Sequence, residues 1–577
     1  MFIFFEYVLV GVLIVATFFL RSFPSGWFQA AEKFLSRLAR RRALAVLVVG
    51  LLALAIRAAL LPNFPVPEPG LHDDFGYLLA ADTFAHGRVA NPTHPMWIHF
   101  ESIHINQKPT YMPQYFAAQG LLLALGQVVG GCPWIGVWLS AGAMCAAICW
   151  MLQGWLPARW ALLGGLLAVM RLGTFTIWVD SYSGGILAAI GGALVLGALP
   201  RIKRRQRVQD ALLLGLGLAL LANTRPYESL FFCIPIAVAA LVWILGRKRP
   251  PWRQLIPRIV LPVGLLVAVT GAGMAYYFWR VTGSPFRIPY QVSLDTSMAV
   301  PIFPWQPLNL KHEYHHPVLE QFHLHSWMMN SYYQARQAPF HVLLTRVERF
   351  YLFFLGPVLA LPLVVLVVFN PRQFVRHAVT GKTGFLLAVC GATFVGLALP
   401  IYFIPHYAAP ITAAVYALVL EAMRHLRLWS WRGKRAGLAM VRAIPAICVL
   451  LFLLRAAAPQ LHIPTPVDGS NNWAGQQIHN RDRARALAQL TGLAGDHLVI
   501  VRYNQYHYSG NEWVYNRADI DSAKVVWARD MGDSRNAELI HYFPQRRVWL
   551  AEPDLAPPRL SPYRVPADPR TPSQGTP

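Results

Sequence analysis

Arg41-Arg-Ala-Leu-Ala-Val-Leu-Val-Val-Gly-Leu-Leu-Ala-Leu-Ala-Ile-Arg-Ala-Ala-Leu-Leu-Pro62 decides how this chain is read. It supplies the run of about 20 apolar residues that a bilayer-crossing helix needs. Lys33, Arg37, Arg40, Arg41 and Arg42 precede it, and His72-Asp-Asp74 follows it. Basic clusters stay on the cytoplasmic side, so this span runs outward and delivers the acidic pair to the outer face. Similar runs recur through the chain. Of 577 residues, 55% are hydrophobic and 14% charged, where a soluble domain carries roughly a quarter charged; the mean hydropathy is +0.39. This composition excludes a disordered chain, a disulfide scaffold and a soluble enzyme. The formal net charge of +24, from 51 basic and 27 acidic residues, belongs to cytoplasmic loops and not to a nucleic-acid interface. Cys132, Cys145, Cys149, Cys233, Cys390 and Cys448 form no CxxC pair and no zinc spacing, so they read as packing residues.

The charge rule organises the rest. A first span at 3–20 precedes the basic segment, with a cleaved signal peptide as the alternative. Further spans are expected at 43–62, 134–154, 160–179, 184–200, 209–223, 228–246, 258–280, 350–369, 384–403, 408–424 and 437–457. The stretch 114–130, interrupted by Gln119 and Gln127, reads as a re-entrant or interfacial helix. With that choice the basic clusters at 201–207, 247–253, 372–382 and 424–435 all face the cytoplasm. The expected fold class is an α-helical polytopic membrane protein of about twelve transmembrane helices with a small C-terminal α/β domain. Residues 1–42 hold an extra N-terminal span and a basic segment. Residues 43–458 form the membrane core, with outer loops 63–113 and 281–349. Residues 459–577 form an outer domain: a helix at 479–491, strands at 497–502, 524–528 and 547–551, a helix at 534–543, and a Pro-rich tail, extended or disordered, after Pro557.

Chemistry is expected in the two long outer loops. His72-Asp-Asp-Phe-Gly-Tyr77 offers three readings: a general base, a ligand pair for a divalent metal, or a helix N-cap. The stretch Asp73-Asp-Phe-Gly-Tyr-Leu-Leu-Ala-Ala-Asp-Thr-Phe-Ala-His-Gly-Arg88, set after an outward span and before a re-entrant stretch, resembles the C-type superfamily of membrane glycosyltransferases. That superfamily includes protein O-mannosyltransferases and lipid A aminoarabinose transferases. The resemblance covers about 43–425 and is to bacterial members. It implies a multi-pass protein of the cytoplasmic membrane with its active site and C-terminal domain extracytoplasmic. It further implies a polyprenyl-phosphate-sugar donor among the membrane lipids and an envelope acceptor. Asp73 matches the first acid of the family motif, the base; Asp74 stands where Glu is common. The cofactor reading is either none or a divalent ion on Asp73 and Asp74.

A phosphate leaving group needs cations at the outer ends of spans. Arg225, in Asn223-Thr-Arg-Pro-Tyr-Glu228 with Glu228 beside it, is the foremost candidate because its planar fork suits phosphate. Lys108, Arg280, Arg287 and His406 are others. Arg171 and Asp180 bracket a span end, as a structural pair or as site residues, and Asp180-Ser-Tyr182-Ser-Gly-Gly185 is a sugar-pocket candidate or a close-packing turn. Arg57 carries the same ambiguity. Histidines at 94, 99, 104, 312, 315, 316, 323 and 325 match no closed zinc spacing. The chain holds no Walker A loop, dinucleotide fingerprint or Gly-x-Ser-x-Gly elbow. Arg502–Tyr508 and Asn511–Tyr515 are aromatic enough to meet a glycan or simply to pack. The competing functions are a transporter or lipid-linked-sugar flippase, which accounts poorly for the acidic pair in a long outer loop and shows no inverted repeat, and a non-catalytic envelope scaffold displaying the C-terminal domain.

Overall fold

The computed structural model describes all residues except 20–24, 248, 370–380, 432, 466–470 and 564–577. The basic residues expected at Arg21, Lys248, Arg372, Arg376 and Arg432, and most of the Pro-rich tail, lie outside the described residues. Among the described residues, nine helices are long and apolar enough to cross a membrane. Three further helices occupy other expected span positions: Phe2–Phe19, Ala158–Arg171 and Val208–Ala222. The helix Ala117–Gly130 has 14 residues; at about 1.5 Å per residue it is too short for a hydrocarbon layer of about 30 Å.

One expected span is corrected. The stretch 160–179 is not a continuous helix: it ends at Arg171, and 172–185 is a buried irregular segment. Two local causes are visible. The hydroxyls of Thr174 and Thr176 donate to the carbonyls of Val169 and Leu172 at 2.9 and 2.8 Å, competing with helical pairing. Trp134 also donates to the freed carbonyl of Val179 at 2.9 Å. The 350–369 span, by contrast, extends back to Pro339, which shortens the loop expected at 281–349.

Burial separates the helices by role. In Pro405–Leu426 and Ile186–Arg205, 83% and 78% of the apolar window is buried, whereas Trp252–Thr282 buries only 11% of its window. The first two form the centre of the bundle and the last turns its apolar surface outward, as a lipid-facing helix must. Glycine permits the closest approach: a Cβ on Gly50 of Arg42–Ala59 would meet the Gly142 carbonyl of Trp134–Trp155 at 3.1 Å, the small-residue contact usual between membrane helices.

The N-terminal helix is locked into this core. Glu6 forms a buried ion pair with Arg171 at 3.1 Å and accepts hydrogen bonds from Trp473 Nε1 at 2.9 Å and Val358 N at 3.1 Å. Gly356, at φ +59°, leaves the room these groups need, because a Cβ there would meet Arg171 at 2.5 Å and Glu6 at 2.6 Å.

The C-terminal region carries a four-stranded sheet with the order Val525–Arg529, His497–Val501, Arg547–Glu552, Arg559–Pro562. The first three strands are parallel and the last is antiparallel. The start of the tail is a strand: Leu560 and Ser561 pair with Ala551 and Leu550, so 559–562 completes the sheet edge. The helices Arg481–Gly492 and Asp533–Tyr542 accompany the sheet. This unit does not stand apart. Phe75, Leu79, Phe100, Ile105 and Tyr111 of the first loop share one hydrophobic core with Leu498, Tyr515, Val526 and Leu539. The second loop joins the same cap through Asn106 Nδ2 donating to Pro289 O at 3.1 Å and His315 facing Glu101 at 3.1 Å.

Candidate active site

Asp73 and Asp74 open the helix His72–Ala85. Consecutive helical residues point about 100° apart, and the two carboxylates meet opposite surroundings. Asp74 is 1% exposed. Its Oδ1 accepts the N–H groups of Tyr182 and Ser183 at 2.9 and 3.1 Å, and its Oδ2 accepts those of Gly70 and Leu71 at 3.3 and 3.4 Å. Asp74 therefore caps its own helix and ties it to the irregular 180–185 segment. Burial pushes its pKa up to about 6, against the pull of those backbone donors and assisted by the neighbouring Asp73 charge.

Asp73 is open, with 31% of its side chain exposed. Its Oδ1 faces His104 Nδ1 at 2.8 Å and accepts the hydroxyl proton of Tyr115. Among the described residues its Oδ2 accepts no hydrogen bond. Burial alone would raise this carboxyl, but the hydrogen bond and charge of His104 and the Tyr115 hydroxyl outweigh it and hold the group below the ordinary carboxylate range. Asp73 is thus ionised, anchored at one oxygen and open at the other. His72 on its other side lies 2.6 Å from the Tyr515 hydroxyl through Nδ1; burial first, then the nearby His104, push its pKa down to about 3, so its ring is neutral.

From Asp73 a polar strip runs toward Arg225. Tyr115 stacks on Tyr77 with ring centroids 4.3 Å apart. Tyr77 and Arg225 line one narrow cleft with Gln119 and Gly184. The Arg225 guanidinium lies 4.1 Å from the Tyr407 ring centroid and 3.8 Å from Glu228. His406 packs against Tyr407 at 4.9 Å. Asp73, Arg225, Glu228 and His406 are thereby brought together, along with Tyr77, Tyr115 and Tyr407, which the sequence reading did not single out.

Other candidates lie elsewhere. Lys108 sits over the Trp97 ring at 4.1 Å. Arg171 is the buried partner of Glu6. Tyr182 is buried, and its hydroxyl donates to Pro67 O at 3.0 Å, which makes it a strut. The glycines after it permit close packing, since a Cβ on Gly184 would meet Gln119 at 2.6 Å and one on Gly185 would meet Trp178 at 2.4 Å. Asp180 faces His479 at 3.4 Å, away from the strip. Arg287 pairs with Asp295 at 2.6 Å. Among the described residues no group of three or more His, Cys, Asp or Glu converges as a metal site; His94 and His315 instead face Asp521 and Glu101 at 3.0 and 3.1 Å. In the C-terminal aromatic stretches Trp513 and Tyr515 are buried, whereas Tyr506 and Tyr508 are 82% and 68% exposed.

No family model matches the chain, and no curated protein matches it in sequence. Solved structures do resemble it. The oligosaccharyltransferase of Archaeoglobus fulgidus in its apo form aligns with a TM-score of 0.48 and 10% identity, over 88% of this chain and 69% of that one. ArnT from Cupriavidus metallidurans in the apo state aligns at 0.47 and 12% identity, over 87% of this chain and 92% of that one. The archaeal oligosaccharyltransferase AglB from Archaeoglobus fulgidus, in complex with an inhibitory peptide and a dolichol-phosphate, aligns at 0.43 and 10% identity, over 89% and 69%. At these scores the likeness assigns no residue and no substrate.

Proposed function

We propose that this protein is a membrane glycosyltransferase that moves a sugar from a polyprenyl-phosphate donor to an envelope acceptor on the outer side of the cytoplasmic membrane. The observation that carries the reading is the Asp73 carboxylate: ionised, held at Oδ1 by His104 and Tyr115, with Oδ2 free among the described residues, and continuous with Arg225 through Tyr77. In the reaction the acceptor O–H or N–H attacks the anomeric carbon. The bond from that carbon to the phosphate oxygen breaks, and the phosphate departs with the electron pair. Asp73 Oδ2 takes the acceptor proton. The low basicity of Asp73 suits this order of events. An oxocarbenium-like transition state loads positive charge on the donor before the acceptor proton leaves, so a fixed negative charge is worth more than a strong base.

Arg225 supplies the charge for the departing phosphate, and Tyr407 beneath it fixes its plane. His406 closes the same side. Glu228 orients Arg225 from within the helix Pro226–Leu245. Asp74 acts through position: it holds the start of the Asp73 helix against the 180–185 segment. A divalent ion on Asp73 would use its free Oδ2; Asp74 offers no oxygen without a backbone donor. The test is sugar transfer in membranes containing the protein, using a panel of labelled polyprenyl-phosphate sugars with and without chelator. A labelled product from at least one donor is expected. No product from any donor by folded protein would overturn the reading.

A further inference from the structure

A second cavity, of about 420 Å³, includes Asp180, which begins the segment whose Tyr182 and Ser183 N–H groups bind Asp74. Its volume falls within the range of about 300–1,000 Å³ usual for small-molecule sites. Arg57, Arg455, Arg481, His479, Asp180 and Glu68 line it. Arg57 stands in the last turn of the helix Arg42–Ala59 and Arg455 in the last turn of Ala436–Ala456, so two span ends deliver guanidinium groups to one place.

Both are 2% exposed. Arg57 donates to the carbonyls of Phe64 and Pro65 at 2.7 and 3.3 Å and lies over the Trp134 ring at 4.7 Å. Arg455 donates through Nε to Ala474 O at 2.9 Å and packs on Phe64 and Phe175 at 4.9 and 5.1 Å. Among the described residues no ion pair involves Arg57, Arg455 or Arg481. The acid whose field reaches Arg57 and Arg455 is Asp180, and that carboxylate is already engaged by Gln477 N at 3.2 Å and His479 at 3.4 Å. Two buried, oriented cations without a paired anion are costly in a folded protein. Carbonyl contacts hold the planes of these guanidinium groups and Asp180 reaches them only through its field, so among the described residues neither has a directly paired carboxylate.

We infer that this cavity binds a phosphate-bearing polar headgroup. Arg57 and Arg455 hold the phosphate oxygens in charge-assisted hydrogen bonds, Arg481 closes the exposed side, and Glu68 and Asp180 face hydroxyl groups beside the phosphate. The ligand is either the headgroup of a membrane lipid, reached at the span ends, or a free phosphate compound. The inference is independent of the proposed transfer activity, because the cavity contains neither Asp73 nor Arg225.

Purified full-length protein in neutral detergent tests it, with thermal unfolding and native mass spectrometry as readouts. The probes are phosphatidylglycerol, phosphatidylcholine and inorganic phosphate. A ligand that binds the native state raises the melting temperature. Phosphatidylglycerol or phosphate is expected to raise it while phosphatidylcholine does less, and the shift should be lost in Arg455→Gln and reduced in Arg481→Glu. A shift from inorganic phosphate alone identifies a free phosphate compound as the source; a shift confined to phosphatidylglycerol identifies the lipid headgroup. Arg481 is on the surface, so Arg481→Glu keeps the test valid if Arg455→Gln does not fold. No shift with any probe, or shifts equal to wild type in folded Arg455→Gln and Arg481→Glu, would overturn the inference.

Discussion

At the scale of single residues, the account rests on two adjacent aspartates with opposite environments. Asp73→Asn keeps the side-chain shape and removes the proton acceptor, so transfer should fall by about 10²-fold or more while the melting temperature stays near wild type. Asp74 gives the pH dependence. Its pKa is raised to about 6, so it is ionised above that pH and neutral below it, whereas Asp73 stays ionised well below the ordinary carboxylate range. Activity should therefore decline as the pH drops through about 6, as the tie between Asp74 and the Tyr182 and Ser183 N–H groups weakens. Asp74→Asn should show lower activity without that acid limb, in pH–rate profiles of both proteins. The acid pair itself was legible in the sequence. Its division of labour was not, because it depends on His104 and Tyr115, 31 and 42 residues away along the chain, and on Tyr182, 108 residues away.

At the scale of elements, charge patterning located most helices, since each basic cluster marks where a span ends. It failed at 160–179, where apolar content continues past Arg171 but Thr174 and Thr176 redirect the backbone. It also passed over Glu6, a lone acid in the N-terminal helix, whose purpose is visible only once Arg171 is beside it. Glu6→Gln leaves Arg171 buried without its counter-charge and should cost about 3–5 kcal/mol of stability, read as a large drop in melting temperature in detergent. The double substitution Glu6→Leu with Arg171→Met should recover part of it. The C-terminal unit reaches the site by a similar cross-element contact. Tyr515 stacks on Phe75 with centroids 4.0 Å apart and meets His72 through its hydroxyl. Tyr515→Phe keeps the stack and removes the hydroxyl. It should lower kcat several-fold with KM little changed and leave the fold intact, which would mark Tyr515 as a positioning residue.

At the scale of the whole molecule, a lipid-facing bundle carries a polar cap built from the first loop, the second loop and the C-terminal sheet. The long apolar runs between basic clusters revealed the bundle and the strand runs revealed the sheet. The shared core of loop and sheet was hidden, because Phe75 and Leu498 join it from opposite ends of the chain. The account puts the cap outside the cell. A cysteine at Arg481 should react with an impermeant maleimide in intact cells, and one at Arg204 should react only after lysis. The most direct test of the central claim compares wild type, Asp73→Asn and Arg225→Gln in proteoliposomes supplied with a donor that wild type uses. Donor binding and sugar transfer are measured separately. The account predicts that Asp73→Asn binds donor but transfers almost nothing, and that Arg225→Gln loses both donor affinity and transfer. Full transfer by folded Asp73→Asn would contradict it.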